Sequence, residues 1–258
     1  RINTDAVDNG GGVDCSDNEV NIKILLNGLV QNGDLTVKQR NKILYDMTDE
    51  VGDIVIDDCY RQTHSLSITE LRGGGQLKEQ SQFITELERS GKLDRTLEFI
   101  PSDEEIAERL ALGKGLTRPE LSVLLAYNKM VLKEELVCPE ITDNEYHQSL
   151  LIEAFPKQLQ DNYSAQMQEH PLRAEIIATQ LANNIGNDMG FNFVHRMKAE
   201  TGATTSEIAN CYTMACAVFE MSDIWKQISD LDNKISTSIQ TEMLFQLRRT
   251  VRRATRWF

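Results

Sequence analysis

The stretch Asp8-Asn9-Gly10-Gly11-Gly12-Val13-Asp14-Cys15-Ser16 holds the residue types in this chain best suited to chemistry. Three consecutive glycines let backbone amides approach a ligand closely. The pattern Ser16-Asp17-Asn18-Glu19 then predicts a helix start, where further amides and the positive end of the helix dipole favour an anion. A carboxylate or a phosphate suits such a place. The same residues also read as a flexible loop followed by a capped helix, with Ser16 bonded only to its own N3 amide. The residue types alone leave both readings open.

Few other groups are arranged for chemistry. The four histidines, His64, His147, His170 and His195, are isolated in sequence, and the five cysteines show no C-x-x-C spacing. No metal site is expected, and the odd number of thiols fits small hydrophobic fillers in a reducing compartment. Residues 242–258 carry five arginines, Arg248, Arg249, Arg252, Arg253 and Arg256, against the single Glu242. Such a basic helix can meet lipid, RNA or an acidic partner. The whole chain, however, has 27 basic against 40 acidic residues and a formal charge of −13. Docking on the protein's own acidic surface, or a face left bare where the chain is cut, is therefore the expected reading of the arginines, and nucleic acid is a poor partner. No run approaches the roughly 18 apolar residues of a membrane span.

The elements that position these groups are predicted to be helical almost throughout. With 258 residues, 40% hydrophobic and 26% charged, the chain can bury one large core or two smaller ones, and disordered, collagenous and disulfide-framework classes are excluded. Five capping-box patterns begin at Ser16, Thr36, Ser102, Thr117 and Thr204. Apolar residues recur at helical spacing in Leu121, Leu125, Leu132 and Leu136, with Asn128 on the same stripe, and in Ile177, Leu181, Ile185 and Met189. The last helix shows Ile235, Ile239, Met243, Leu247, Val251, Ala254 and Phe258 at steps of three or four. Ile54-Val55-Ile56 resembles a strand in isolation, but its flanks predict one helix from about residue 49 to 71. Gly73-Gly74-Gly75 is the strongest candidate boundary, and residues 1–15 look too sparse in apolar groups for a packed element. The chain opens on Arg1-Ile2 and closes on Trp257-Phe258 within a helical pattern, so both ends are expected to be cut points in a longer protein.

Residues 2–23, Ile2-Asn3-Thr4-Asp5-Ala6-Val7-Asp8-Asn9-Gly10-Gly11-Gly12 through Lys23, resemble a segment of the large NAD-specific glutamate dehydrogenases of bacteria. Thr117-Arg118-Pro119-Glu120-Leu121-Ser122-Val123-Leu124-Leu125-Ala126-Tyr127 resembles a second motif of that family, as do Asp46-Met47-Thr48-Asp49-Glu50-Val51 and the terminal Arg252-Arg253-Ala254-Thr255-Arg256-Trp257-Phe258. The glycine run is also similar to the N-A-G-G-V-x-x-S element of the smaller glutamate dehydrogenases, with Gly10 in place of the small Ala. That resemblance implies Asn9 beside the nicotinamide end of NAD, Val13 in the wall of the amino-acid pocket, and Ser16 on the γ-carboxylate of L-glutamate.

The resemblance further implies a mainly α chain. Residues 1–72 would be the carboxy-terminal end of a Rossmann-type catalytic domain, contributing its last loop and closing helices. Residues 73–258 would be a helical carboxy-terminal domain. No G-x-G-x-x-G follows a strand here, and the family's catalytic Lys and Asp have no counterpart, so both are expected upstream. The expectation is a piece inactive by itself, taken from a cytoplasmic bacterial homo-oligomer that converts L-glutamate to 2-oxoglutarate and ammonia. Residues 73–258 would serve assembly or regulation. The alternative from another class is a non-catalytic helical interaction module whose glycine run is only a tether.

Overall fold

The computed structural model describes residues 2–258, and among these every regular element is a helix. A single turn, α1 (Asp5–Asp8), passes through Asn9 into α2 (Gly10–Asn32). Then come α3 (Val37–Asp46) and α4 (Thr48–Arg72), a 3-10 turn at Gly73–Gly75, and α5 (Leu77–Arg89). After an irregular stretch, α6 (Asp103–Ala111) and the long α7 (Arg118–Leu136) lead to α8 (Pro139–Thr142), a second 3-10 turn and α9 (Gln148–Glu153). The chain ends with α10 (Lys157–Met167), α11 (Arg173–Met189), α12 (Phe193–Thr201), α13 (Thr205–Val218), α14 (Met221–Ser229) and α15 (Thr237–Trp257).

The helix starts show why these residues begin helices. Thr36, Ser102 and Thr204 each accept a bond from the amide three residues on, at 3.2, 3.3 and 3.3 Å, while Gln39, Glu105 and Glu207 accept from the cap amides at 2.8 Å. At α7, Glu120 accepts from the Thr117 amide at 2.7 Å, and Pro119 sits in the first turn, where its missing N–H costs nothing. Each such cap contributes about 1 kcal/mol. Among the stops, Gly33 and Gly202 take φ of 84° and 75°, the left-handed region that ends a helix without a Cβ clash.

α7 and α11 form the centre. Leu121, Leu125, Asn128, Leu132 and Leu136 are all buried, as are Ile177, Leu181, Ile185 and Met189, so both predicted stripes face the core. The two helices cross closely at Gly186, where an added Cβ would stand 3.5–3.6 Å from Asn128, Lys129 and Leu125. One apolar cluster spans α2, the second half of α7 and α9 to α13, with Val251 of α15. A second joins Val7 and Leu66 to α5, α6 and the first half of α7. α4 touches both groups of helices, packing on α2, α7, α11 and α15.

Three expectations need correction. Ser16 is no helix cap: it lies inside α2, whose first residue is Gly10, and Glu19 pairs with Lys23 instead of reaching back. The glycine run is thus the first turn of a helix, and residues 5–15 are helical on either side of Asn9, with only Val7 among them buried. A Cβ on Gly10 would stand 3.7 Å from the Cys59 sulfur and one on Gly11 4.0 Å from Val55, ordinary contacts that place this turn beside α4. The last helix is rotated from its apolar reading: Gln240, Leu244, Arg248, Val251 and Thr255 are buried, while Ile239 and Met243 are exposed. The 49–71 helix is observed as α4, with Val55 buried and Ile56 68% exposed, a helical rather than alternating pattern.

Candidate functional site

Asn9, Val13 and Ser16 are spaced four and three residues apart. Because α2 already begins at Gly10, that spacing puts all three on one face, with Val20 continuing it. The face is open: Val13 is 62% exposed, and Asn9 and Ser16 are exposed. Among the described residues nothing takes up the Ser16 hydroxyl, which a true cap would have spent on its own backbone. The opposite face of α2 carries Ile22, Leu25, Leu26 and Leu29 into the core and fixes the rotation of the helix.

Behind that face lies a charged cluster that the sequence reading missed. Asp14 of α2, Asp58 of α4 and Lys129 of α7 influence one another where three helices meet. Burial, reinforced by the Asp58 charge and opposed by Lys129, pushes the Asp14 carboxyl up to about 6. Burial also pulls the Lys129 ammonium below its usual range, with Asp58 and Asp14 opposing. Asp58 accepts from Asn187 at 2.9 Å, and the Asp14 backbone carbonyl accepts from Asn18 at 2.9 Å. The Asp14 Oδ2, Asn128 Nδ2 and Asn187 Oδ1 atoms are buried without a hydrogen-bond partner in the protein.

The cluster continues into a network around the end of α11. Asp188 accepts from Arg61 at 3.0 Å and from the Tyr212 hydroxyl at 2.8 Å. Arg248, on α15, donates to the carbonyls of Asp188 (2.6 Å) and Asn187 (3.1 Å) and to Ser65 Oγ (2.9 Å). A guanidinium at a helix C-terminus satisfies carbonyls left without partners and meets the negative end of the dipole. Arg118, the first residue of α7, also binds α4. It donates to Asn3 Oδ1 (2.6 Å), Thr63 O (2.9 Å), Ser67 Oγ (3.0 Å) and Glu70 (3.2 Å), tying the amino-terminal segment to α4. An arginine at the first position of a helix opposes the dipole, and that anomaly in Thr117-Arg118-Pro119-Glu120 was the available signal.

A cleft of about 720 Å³ opens between α4, α9, α11, α13 and α14, and Asp57, Arg61, His64, Asp188 and Trp225 are among its walls. Asn9, Val13 and Ser16 do not line it. Those three residues lie on an open surface. No described helix is long and apolar enough to cross a membrane.

Residues 113–258 match the family described as glutamate dehydrogenase, C-terminal, and residues 1–69 match the family described as bacterial NAD-glutamate dehydrogenase, catalytic domain. The chain is 47% identical over 258 residues to the NAD-specific glutamate dehydrogenase of Halomonas elongata and 47% over 256 residues to that of Pseudomonas aeruginosa. It is 36% identical over 257 residues to that of Mycobacterium tuberculosis. These alignments take in 99–100% of this chain and 16% of each relative's length. With a catalytic-domain segment at its start and the carboxy-terminal region over more than half its length, the chain belongs to the bacterial NAD-glutamate dehydrogenase family.

Proposed function

We propose that this chain is the carboxy-terminal portion of an NAD-dependent glutamate dehydrogenase of the bacterial cytoplasm, which oxidatively deaminates L-glutamate to 2-oxoglutarate and ammonia. The observation that carries the reading is the single open face of α2 that presents Asn9, Val13 and Ser16 together. The Ser16 hydroxyl donates to the γ-carboxylate of glutamate, and Val13 forms the apolar wall along its methylenes. Asn9 offers its carboxamide to the nicotinamide end of the cofactor.

The residues present suit one edge of NAD and no more. Asn9 stands at the start of α2 with its Oδ1 beside Gly12, and the described residues contain no strand whose following turn would hold a pyrophosphate. NAD, when bound, accepts the hydride from the substrate. This chain orients the substrate carboxylate and lines the cofactor's edge, while upstream residues supply the dinucleotide site and the proton-handling Lys and Asp. The chain by itself is therefore inactive. Its division falls at the Gly73–Gly75 turn, with residues 1–72 completing the catalytic domain and 73–258 acting as an assembly element of a homo-oligomer. The two family matches lie on either side of that turn.

The test is Ser16→Ala in the full-length enzyme. A hydrogen bond to a charged group contributes about 1.5–3 kcal/mol, so KM for glutamate rises about tenfold or more while KM for NAD stays within about twofold. An unchanged KM for glutamate removes Ser16 from the site and leaves the interaction module as the reading. Light scattering on the enzyme lacking residues 73–258 tests the assembly role, and an unchanged oligomer refutes it.

A further inference from the structure

Five arginines converge on a second cleft, of about 380 Å³, where the end of α4, the start of α5, α12 and α15 meet. Arg72 comes from α4, Arg196 from α12, and Arg248, Arg249 and Arg252 from α15, while Glu79 is the one carboxylate in the wall. In a chain carrying −13 this concentration of positive charge runs against the average surface.

The internal partners do not use it up. Arg248 is spent on the end of α11. Arg196 is held by Glu79 (2.9 Å) and Glu200 (2.7 Å). Arg72 pairs with Glu242 (2.5 Å) and lies over the Phe245 ring, 3.5 Å from its centroid. Arg249 reaches only the neutral Gln246 amide oxygen on its own helix, at 3.2 Å. Arg252, half-buried, has no hydrogen bond or ion pair among the described residues. Arg249 and Arg252 are three residues apart and so share one face of α15. Burial lowers the Arg252 pKa, with the charges of Arg196 and Arg249 lowering it further and those of Glu200 and Glu79 opposing.

We propose that this cleft is a binding site for a phosphate group carried by a small molecule, with Arg249 and Arg252 as its principal donors. The concentration of charge favours a tetrahedral dianion over a carboxylate. Arg249 and Arg252 both come from α15, with the paired Arg72 and Arg196 adding positive charge beside them, and a phosphate, with more acceptor oxygens and up to two negative charges, matches that better than a carboxylate. Gln76 and Asn192 add neutral amide donors to the wall, and Ile68, Met189 and Phe193 give it an apolar floor. The volume lies at the low end for small-molecule sites, which suits a phosphorylated metabolite and is too confined for a duplex. The site is separate from the open face of α2: none of its walls comes from that helix.

The experiment is titration calorimetry of the full-length protein with inorganic pyrophosphate at fixed ionic strength, repeated on Arg252→Gln, Arg249→Gln and Arg253→Gln. Arg253 is exposed on the same helix and lies outside the cleft. Comparison with the parent protein isolates this site from any dinucleotide site elsewhere. The expected result is that Arg252→Gln and Arg249→Gln each lose one pyrophosphate per subunit or bind it at least tenfold more weakly, while Arg253→Gln binds as the parent does. Without ligand, Arg252→Gln melts close to the parent, because the guanidinium has no hydrogen bond or ion pair among the described residues to lose. Equal binding by all four proteins overturns the proposal, as does a parallel loss in Arg253→Gln. Citrate binding while pyrophosphate does not overturns the choice of phosphate. Binding of RNA in place of pyrophosphate, with a steep salt dependence, overturns the small-molecule reading.

Discussion

The backbone of Gly74 packs directly on that of Gly113: a Cβ on Gly74 would stand 2.4 Å from the Gly113 carbonyl oxygen. Gly115 faces the neighbouring Gly73 in the same way, at 2.6 Å. The turn after α4 and the turn before α7 are therefore one backbone-on-backbone contact, and both glycine clusters exist to permit it. Gly74→Ala is expected to destabilise the chain by about 2 kcal/mol, the range of overpacking into a rigid neighbour. Gly75 has nothing within 4 Å of a built Cβ, so Gly75→Ala is neutral or slightly stabilising. Urea unfolding of the two variants side by side decides it, and equal midpoints would refute the contact.

Arg248 reads as a surface charge in sequence and is a core residue in space. Its guanidinium serves two carbonyls at the end of α11 and the Ser65 hydroxyl of α4, and burial pulls its pKa down to about 10. Arg248→Ala strands the Asn187 and Asp188 carbonyls and is expected to cost about 3 kcal/mol. Arg253→Ala, on the exposed side of the same helix, stays within about 0.5 kcal/mol of the parent. Thermal melts of both variants supply the comparison, and a mild Arg248→Ala would show that water replaces the guanidinium.

Asp14 gives the stability a pH signature. Its carboxyl is raised from near 3.8 to about 6 in the fold, mainly by burial. Below about pH 4 the group is protonated folded or unfolded. Between about 4 and 6 the folded chain holds the proton that the unfolded chain releases, so this contribution to stability falls as pH rises through that window. Asp14→Asn is expected to flatten the fall and to gain about 1 kcal/mol at pH 7, the full shift being screened by partial solvent access. Denaturation at pH 4.5 and 7 measures it; parallel curves for parent and variant would exclude Asp14.

How far these features can be read from sequence depends on what each residue is doing. The stripes on α7 and α11 were legible because an apolar face at helical spacing admits few other uses, and even Asn128 kept its place in the stripe. Thr36, Ser102, Thr117 and Thr204 were legible because capping is local. Ser16 misleads for the same reason: its pattern is local, whereas the helix that contains it already starts at Gly10 and is seated by Ile22, Leu25, Leu26 and Leu29 in the core. The rotation of α15 was hidden because a buried arginine is indistinguishable from an exposed one until its acceptors on α11 are known. Lys129, Asp14 and Asp58 come from three helices, and their meeting is a property of the packing alone. The spacing of Asn9, Val13 and Ser16 contained their common face, but it emerged only once the glycines were seen to be helical.

Arg118 links the amino-terminal segment to the body of the chain. Of its four acceptors, Asn3 precedes α1, while Thr63, Ser67 and Glu70 lie along α4, and the side chain is nearly enclosed. Asn3 in turn donates to Asp8 from both its amide (3.0 Å) and its Nδ2 (2.6 Å). Arg118 thus holds Asn3, which holds Asp8, which adjoins Asn9 at the start of the open α2 face. Arg118→Lys keeps the charge but offers one point donor where the planar fork served several acceptors. Amide exchange of residues 3–9 is therefore expected to quicken at least tenfold in Arg118→Lys, with little change in α11. Uniform acceleration across the chain would mean that Arg118 acts on global stability, and unchanged exchange at 3–9 would show that Val7, buried against the second apolar cluster, anchors the segment without it.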